Sequence, residues 1–356
     1  VLTKITDFYH FKVFINCKFD YLCSIYLLQN NSIILNEMIR QPILAELQVF
    51  KKIFAAALKT ENPLLSSINE YILEGSGKQL RPILTLLSAK LCGEVSNATY
   101  NGALSLELLH NASLIHDDVV DDTDERRGRR SINARWANKV AVLSGDYMLS
   151  NSLISATKTA NLDILYSVAR IGMELSDGEL IQLTNTQKTL SSEDDYFKVI
   201  RKKTALLFAT CTEVGALSVN ADAEKLANLR AFGEYMGICF QIKDDVFDYY
   251  QDIEIGKPTG NDLQDGKVTL PLIYALSHSA NGEKENIMSI IDSKDFTQEN
   301  IDKVMQFARD KGGVDYAERR MEEFKALAVA TLDGFADSDV KRALIMCADF
   351  SAARKN

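Results

Sequence analysis

Proline and glycine, the residues that most often interrupt helices, are scarce in this sequence. The 356 residues include 5 prolines and 18 glycines, and both counts lie below average usage. Since few positions force the backbone out of a helix, the composition favours an all-helical protein. A run of about twenty apolar residues is also missing, so the sequence predicts no membrane-spanning helix.

A surplus of basic residues is missing as well. The chain carries 49 acidic and 40 basic residues, a formal net charge of −9, whereas a general nucleic-acid binder is expected to be basic. We therefore expect no nucleic-acid partner, although local basic sites for small anions stay open. The six cysteines form no C-x-x-C pair, which argues against a zinc site or a disulfide framework and predicts free thiols in a reducing cytoplasm.

The first 37 residues differ from the rest of the chain. They are rich in aromatics, contain two of the six cysteines and show no sustained helical period. The short apolar run at 21–28 has no small-residue cleavage site after it, so a signal peptide is not predicted. We expect 1–37 to be an extension that results from a start assigned too far upstream; a genuine extension that packs on a neighbour is the alternative. Residues 38–356 are predicted to form one functional domain.

Helical periodicity is nearly continuous from Met38 onward. Apolar residues recur with the spacing of one helix face in 43–58, 102–122, 140–158, 163–186, 194–219 and 223–250. Ser192, which precedes three acidic residues, is a predicted helix N-cap. Alternating strand patterns with turn dipeptides are missing from the sequence. The predicted fold is therefore all-α, a single large helical bundle.

A cluster of aspartates follows one of the apolar helices, in LHNASLIHDDVVDDTDERRGRR at 109–130. On a helix Asp117 and Asp121 are i, i+4 neighbours and Asp118 and Asp121 are i, i+3, so their charges repel. The preceding turns are apolar enough to be buried, and burying unpaired carboxylates is costly. A cation is therefore expected there, and oxygen ligands suit Mg²⁺ together with substrate phosphates. On its own, such a D-D-x-x-D can also be a solvated helix end.

A second D-D-x-x-D follows more than a hundred residues later. It consists of Asp244, Asp245 and Asp248, again at the end of an apolar helix. If the two helices face each other across the bundle, their carboxylates form two walls of one acidic mouth. Such a mouth could hold several divalent ions, and a site with several ions indicates a polyphosphate substrate.

Basic residues accompany both motifs. Those near the first motif or at a predicted helix start are Lys78, Arg81, Arg126, Arg127, Arg129 and Arg130. Those on or near the other wall are Lys203, Lys257 and Lys267. Arginine binds phosphate with two hydrogen bonds, whereas lysine acts as a point charge. Any one of these lysines alone would be interpreted as a surface residue, but the set beside two metal motifs indicates diphosphate binding.

These motifs together resemble the trans-isoprenyl diphosphate synthases, which elongate prenyl chains head to tail. The resemblance covers roughly 40–350 and rests on GKQLRP at 77–82, HDDVVDDTDERRG at 116–128, LSGDY at 143–147, KKTALLF at 202–208, FQIKDDVFD at 240–248 and GKPTGNDLQDGKVTLP at 256–271. It implies the isoprenoid synthase type of bundle around a central apolar cavity. It also implies a homodimer.

The resemblance assigns a role to each motif residue. Three Mg²⁺ ions on an allylic diphosphate would be held by Asp117, Asp118, Asp121, Asp244, Asp245 and Asp248. The allylic diphosphate would contact Arg126, Lys203, Lys257 and, as a second lysine near the phosphates, Lys267. Isopentenyl diphosphate would contact Lys78, Arg81, His110 and Arg127. Thr204 and Gln241 match substrate-facing groups whose oxygens stabilise a developing carbocation.

Product length is expected to depend on residues just before the first motif. The growing chain is expected to enter an apolar tunnel, and in relatives with short products bulky side chains near these positions close its far end. Ala112 and Ser113 are both small. The tunnel should therefore admit at least a geranylgeranyl chain and continue beyond it. The sequence most resembles octaprenyl-type synthases of quinone side chains. We thus expect condensation of isopentenyl diphosphate with an allylic diphosphate, farnesyl or shorter, into a long all-trans polyprenyl diphosphate.

Several alternatives stay open at this point. A geranylgeranyl diphosphate synthase would share every motif, and a non-catalytic subunit of a heteromeric synthase would normally lack one or both aspartate motifs. A terpene cyclase normally carries a different second metal motif, and an acidic interaction protein would intersperse basic residues among its aspartates. Membrane contact is expected to be peripheral at most, since no basic amphipathic anchor is present.

Overall fold

The computed structural model describes residues 37–75, 77, 79–185, 192–250 and 260–352, and its regular secondary structure is almost entirely helical. The first half contains α1 (Leu44–Ala57), α2 (Pro63–Glu74), α3 (Leu80–Cys92), α4 (Asn97–Val120), α5 (Ile132–Trp136), α6 (Asn138–Thr157) and α7 (Leu162–Asn185). The second half contains α8 (Glu193–Ile200), α9 (Leu206–Leu217), α10 (Ala223–Phe247), α11 (Asn261–Gln264), α12 (Leu270–Ser277), α13 (Asn281–Ser293), α14 (Gln298–Asp310), α15 (Gly313–Ala330) and α16 (Asp339–Ala352). A 3₁₀ turn, Gln41–Ile43, precedes α1. The prediction of an all-α fold is confirmed.

Capping residues set where several helices begin. The Asn62 side chain accepts hydrogen bonds from the Leu64 and Leu65 amides at 3.0 and 3.1 Å, and Pro63 suits the first helical position. Ser192 accepts from the Asp195 amide at 3.1 Å, as its sequence context predicted. These contacts satisfy backbone donors that a helix start leaves unpaired.

The centre of the molecule is α9, in which nearly every residue is buried. Two glycines let its neighbours approach closely. A Cβ on Gly215 would lie 2.4 Å from the Thr85 carbonyl oxygen of α3, and one on Gly233 would lie 2.6 Å from the Phe208 carbonyl oxygen. Among the described residues, α10 contributes Leu229 and Phe232 to one buried hydrophobic cluster and Ile238 and Ile242 to a second. The helix thereby joins the two clusters into one continuous bundle.

A π-helical turn, Arg201–Ala205, separates α8 from α9. The helix predicted over 194–219 is therefore present as α8, the π turn and α9, and the sequence did not predict the π turn. The Leu206 amide donates to the Arg201 carbonyl, and such inserted turns occur frequently at functional sites. Gly237 of α10 allows contact with this turn, because a Cβ there would lie 2.6 Å from the Ala205 Cα.

A small hairpin follows the first aspartate motif and was not predicted from the sequence. β1 (Glu125–Arg126) pairs antiparallel with β2 (Arg129–Arg130), with Arg126 opposite Arg129. The connecting residues Arg127 and Gly128 have φ values of 54° and 71°. Positive φ at both positions is what tight two-residue hairpin loops require.

The described ranges contain no helix that is long and apolar enough to cross a membrane. Most of the predicted N-terminal extension, 1–36, lies outside the described residues, and the proposed boundary at 37/38 stays a prediction.

Candidate active site

The first aspartate motif lies at the C-terminal end of α4. Asp118 is buried and accepts a hydrogen bond from Arg126 Nε on Oδ1 at 2.7 Å. Asn133 also donates to the Asp118 backbone carbonyl, at 3.1 Å. The carboxylates of Asp117 and Asp121 have no hydrogen-bond partner in the described part of the chain. The hairpin thus holds one carboxylate of the motif and leaves two available to a ligand.

The second motif lies at the C-terminal end of α10, and it too contains both hydrogen-bonded carboxylates and an available one. Asp245 accepts from the Tyr196 hydroxyl at 2.6 Å and from Gln241 Nε2 at 2.9 Å. Asp248 accepts from the backbone amides of Asn261 and Asp262, at 3.0 and 3.1 Å, where α11 begins. Asp244 has no such partner among the described residues. Its carboxylate is the one of this motif that stays available to a ligand.

Lys203 and Lys267 each interact with the first motif and with Asp262, an acidic residue next to the second motif. Lys203 of the π turn forms an ion pair with Glu179 Oε2 at 2.7 Å, and its charge acts on both Asp117 and Asp262. Lys267 lies 2.8 Å from Asp265 Oδ2 and 3.9 Å from Asp262 Oδ1, and it also senses the charge of Asp121. Because the Asp262 amide donates to Asp248 of the second motif, this arrangement supports the predicted pair of opposed acidic walls.

The crowded carboxyls of the two walls resist ionisation. Burial raises the pKa of Asp117, Asp244 and Asp262 to about 6, and that of Asp245 to about 7. Neighbouring acids add to the rise, as Asp262 does for Asp244 and Asp245. Asp244 keeps solvent exposure at the mouth of the site although protein surrounds much of its carboxyl. A cation between the walls would favour the ionised forms of these groups.

The donors of the walls are carboxylate oxygens, which suit a hard divalent cation such as Mg²⁺. Across the described ranges, no three His, Cys, Asp or Glu side chains converge as in a preformed all-protein metal site. Mg²⁺ commonly uses one or two carboxylates and completes its shell with water and substrate phosphate. Asp117, Asp121 and Asp244 fit that pattern.

A basic cavity of about 360 Å³ lies beside Asp244. Its charged and polar lining includes Gln79, Arg81, Glu107, His110, Asn111, Arg127 and Lys243, and its apolar lining includes Phe208, Phe240 and Phe350. The Arg81 guanidinium lies over the Phe208 ring, 5.2 Å from its centroid. The structure thus brings Arg81, His110 and Arg127 together, as the sequence predicted.

His110 is a neutral hydrogen-bonding group in this cavity. Burial and the charges of Arg81, Arg127 and Arg126 lower the pKa of His110 well below its usual range. A neutral imidazole can still donate one hydrogen bond and accept another. Near neutral pH, the positive charge of the cavity therefore comes from arginine and lysine side chains.

A hydrogen-bonded chain runs from the π turn to the second motif. Thr204 Oγ1 donates to Gln241 Oε1 at 2.7 Å, and Gln241 Nε2 donates in turn to Asp245. The two side chains predicted to face a carbocation are therefore in direct contact.

The remaining predicted residues lie outside the described ranges or belong to the expected product-length position. Lys78 and Lys257 lie outside the described residues, so their roles stay predictions. Ala112 is buried and Ser113 is half-buried, with its hydroxyl donating to the His110 carbonyl at 2.9 Å. His116 lies apart from the basic cavity, beside the Val142 carbonyl at 3.2 Å.

Sequence reasoning missed three acidic or phenolic side chains of the site. Asp262 lies beside both walls and could have been found in the matched segment at 256–271, which contains two aspartates, Asp262 and Asp265. Glu107 is buried in the basic cavity, and its position three residues before His110 was the available signal. Tyr196 gave no local signal, since its partner Asp245 is 49 residues away.

Two opposed carboxylate walls and a basic cavity in an all-α bundle define a protein of the isoprenoid synthase fold. The family model described as Polyprenyl synthetase matches residues 62–308, and the chain belongs to that family. It is accordingly a prenyltransferase.

Relatives share the fold but are named for products of different length. An octaprenyl diphosphate synthase of Haemophilus influenzae is 34% identical over 310 residues, which are 87% of this chain and 94% of the relative. The crystal structure of a decaprenyl diphosphate synthase from Rhodobacter capsulatus matches with a TM-score of 0.86 at 31% identity, covering 90% of this chain and 99% of that one. A geranylgeranyl pyrophosphate synthase from Bacteroides thetaiotaomicron matches with a TM-score of 0.79 at 43% identity, covering 90% and 100%.

Proposed function

We propose that this enzyme carries out Mg²⁺-dependent, head-to-tail condensation of isopentenyl diphosphate with an allylic diphosphate. The product is a long all-trans polyprenyl diphosphate of octaprenyl type, suited to a quinone side chain. The observation that carries this proposal is the pair of carboxylate walls linked by Lys203 and Lys267 and lying next to the cavity that contains Arg81 and Arg127.

The acidic mouth would hold three Mg²⁺ ions and the allylic diphosphate. Asp117, Asp121 and Asp244 are the best direct ligands, because Asp118, Asp245 and Asp248 already accept hydrogen bonds from the protein. When bound, the ions supply charge neutralisation of the leaving diphosphate. Cationic side chains assigned to the same diphosphate are Arg126, Lys203, Lys257 and Lys267.

The basic cavity would bind isopentenyl diphosphate. Arg81 and Arg127 supply bidentate hydrogen bonds to its phosphates, and neutral His110 supplies a further donor; Lys78 is assigned to the same site. The apolar side chains of the cavity suit the five-carbon unit and exclude water. The two substrates would therefore meet at Asp244, which lines the cavity and also belongs to an acidic wall.

The reaction needs no protein nucleophile. The allylic C–O bond breaks, pyrophosphate leaves, and the Thr204 and Gln241 oxygens stabilise the positive charge that develops on the allylic carbon. The isopentenyl double bond then forms the new C–C bond. Loss of a proton to the departing pyrophosphate restores a double bond, so that the elongated chain again ends in an allylic diphosphate.

A product-length assay tests this function. The purified protein is incubated with Mg²⁺, farnesyl diphosphate and labelled isopentenyl diphosphate, and the products are separated by chain length. Long all-trans products support the proposal. Accumulation of the geranylgeranyl product identifies the second candidate, which the 43% identity to a geranylgeranyl pyrophosphate synthase favours. Condensation that requires a second polypeptide identifies a subunit of a heteromeric synthase.

The proposal includes a homodimer that buries an apolar stripe of α7. Leu162, Tyr166, Met173 and Leu180 recur at helical spacing and are 81%, 66%, 69% and 62% exposed. An apolar stripe of this length indicates a protein interface, and a two-fold dimer is the most frequent closed arrangement. Met173→Glu should shift the sedimentation of the protein to the monomer, whereas Leu327→Glu on α15 should not; an unchanged Met173→Glu dimer contradicts this interface.

We also propose a cytoplasmic location, with membrane contact that is peripheral at most. Cys92, Cys211, Cys239 and Cys347 are free thiols, as expected in a reducing compartment. Cell fractionation tests the proposal: recovery in the cytosolic fraction, or release from membranes by salt, supports it, and retention that requires detergent contradicts it.

A further inference from the structure

Arg129 of the hairpin makes three contacts with the C-terminal end of α2. Its guanidinium lies over the Tyr71 ring, 3.8 Å from the centroid. Nη1 donates to the Tyr71 carbonyl at 3.1 Å, and Nη2 pairs with Glu74 Oε2 at 3.0 Å. The same guanidinium lies close to Gly75, the C-cap of α2, where it leaves no room for a Cβ. An exposed ion pair alone contributes little stability, but these contacts together fix the position of the helix end.

The glycines after α2 leave room for the guanidinium groups of the hairpin to approach the backbone. A Cβ on Gly75 would lie 2.7 Å from Arg129 Nη1, and a Cβ on Gly77 would lie 2.5 Å from Arg127 Nη1. Gly75 has a φ of −87°, which any residue can adopt. Close approach of the arginine is therefore the reason that position 75 suits glycine.

The same turn leads into the basic cavity. We call Gly75, Gly77 and Gln79 the α2–α3 turn. Gly77 and Gln79 line the cavity, and α3 begins directly afterwards with Leu80 and Arg81. Arg129 does not line this cavity; it lines a neighbouring one of about 320 Å³.

The hairpin is fixed at its other side to the first aspartate motif. Arg126 of β1 pairs with Asp118, and Arg126 lies opposite Arg129 in the hairpin register. The Tyr71 hydroxyl donates to the Arg130 carbonyl at 2.8 Å. The hairpin therefore connects α4, which carries the first motif, to the α2–α3 turn, which borders the other substrate site.

We propose that Arg129 is a positioning residue for the isopentenyl diphosphate site, a role that rests on the proposed function. It holds the α2–α3 turn against the hairpin, so that Arg81 of α3 and Arg127 of the hairpin face the same cavity. Without it, the two arginines would still be present but would be less well aligned on one diphosphate. Weaker binding of isopentenyl diphosphate, with little change in the chemical step, is the expected result.

Steady-state kinetics of Arg129→Gln test this role. Each substrate is varied at a saturating concentration of the other. We expect KM for isopentenyl diphosphate to rise about tenfold, with kcat and KM for farnesyl diphosphate within about twofold of wild type. Arg135→Gln is the matched control, because Arg135 of α5 also lies over the Tyr71 ring, 4.4 Å from its centroid. The KM values of this variant should stay unchanged.

Gly75→Ala gives a second route to the same perturbation. The added methyl group should displace the Arg129 guanidinium and raise KM for isopentenyl diphosphate. In the double variant with Arg129→Gln the steric conflict is gone, so its KM should not exceed that of Arg129→Gln alone. Additive effects, an unchanged KM in Arg129→Gln, or equal rises for both substrates would overturn the role of Arg129. Absence of condensation by the wild-type protein would instead reject the proposed function.

Discussion

Thr204 Oγ1 donates a hydrogen bond to Gln241 Oε1 across the contact between the π turn and α10, at 2.7 Å. This contact places two side-chain oxygens next to each other, and the amide group of Gln241 connects them to Asp245. The π turn makes it possible, because it brings Thr204 alongside a helix that approaches closely at Gly237.

Thr204→Val should lower kcat while leaving the substrate KM values nearly unchanged. The substitution keeps the shape of the side chain but removes the hydroxyl oxygen and the hydrogen bond that orients Gln241. Loss of one such electrostatic group costs about 100- to 1,000-fold in kcat. Thr204→Ser, which keeps the hydroxyl, should stay within about twofold of wild type. A Thr204→Val enzyme with normal kcat contradicts the role of this pair in stabilising the carbocation.

Arg126→Gln should destabilise the protein, because it leaves the buried Asp118 carboxylate without its partner. The expected loss is about 1–3 kcal/mol in the free energy of unfolding, measured by chemical denaturation. Asp118→Asn in the same chain should recover part of it, since the unpaired charge is then removed. Arg201→Gln is the control: its pair with Glu234 is exposed, so the loss should be below about 1 kcal/mol. Equal losses for the two arginine variants would contradict this interpretation.

Asp244→Asn should stabilise the metal-free protein above neutral pH while abolishing most activity. Burial raises the folded-state pKa of Asp244 to about 6, above its value of about 3.9 in the unfolded chain. The folded state therefore binds the proton more tightly. The stability that this proton contributes is complete below about pH 4 and is lost as the pH rises through about 6. Asparagine cannot ionise and avoids this loss.

The melting temperature in a chelator measures this effect. Wild type and Asp244→Asn should differ little at about pH 4.5, and the variant should melt higher at about pH 8. Added Mg²⁺ should then raise the melting temperature of wild type more than that of the variant. A variant that melts below wild type at about pH 8 without metal would contradict a raised pKa of Asp244 in the metal-free protein.

Ala112→Phe should shorten the main product while condensation continues. The larger side chain would close the predicted tunnel below the first aspartate motif, although overpacking at this buried position also costs about 1–3 kcal/mol. Ser113→Phe, at a half-buried position, provides a second variant with less strain. Ala326→Phe, at an exposed position of α15, is the control. Chromatography of the products measures their chain length. An unchanged chain length in both test variants contradicts the prediction that positions 112 and 113 limit the product tunnel.

The helices of the fold were largely predictable from the sequence, whereas the π turn and the hairpin were not. Apolar periodicity and the capping side chain of Ser192 located helices, since both depend on residues within one or two turns. The π turn at Arg201–Ala205 packs against α10 at Gly237, more than thirty residues later in the chain, so a local sequence pattern could not reveal this contact. The hairpin had a weak local signal in Arg127 and Gly128.

The sequence by itself determined the helical class of the protein, its two aspartate motifs and the basic residues that accompany them. Those are matters of residue type and short spacing. Tertiary structure alone decided which carboxylates are held by protein partners, namely Asp118, Asp245 and Asp248, and which stay available. It also decided that the walls face each other near Lys203 and that burial raises their pKa values. The reason is physical: desolvation and charge interactions depend on neighbours in space, which here come from elements far apart in the chain.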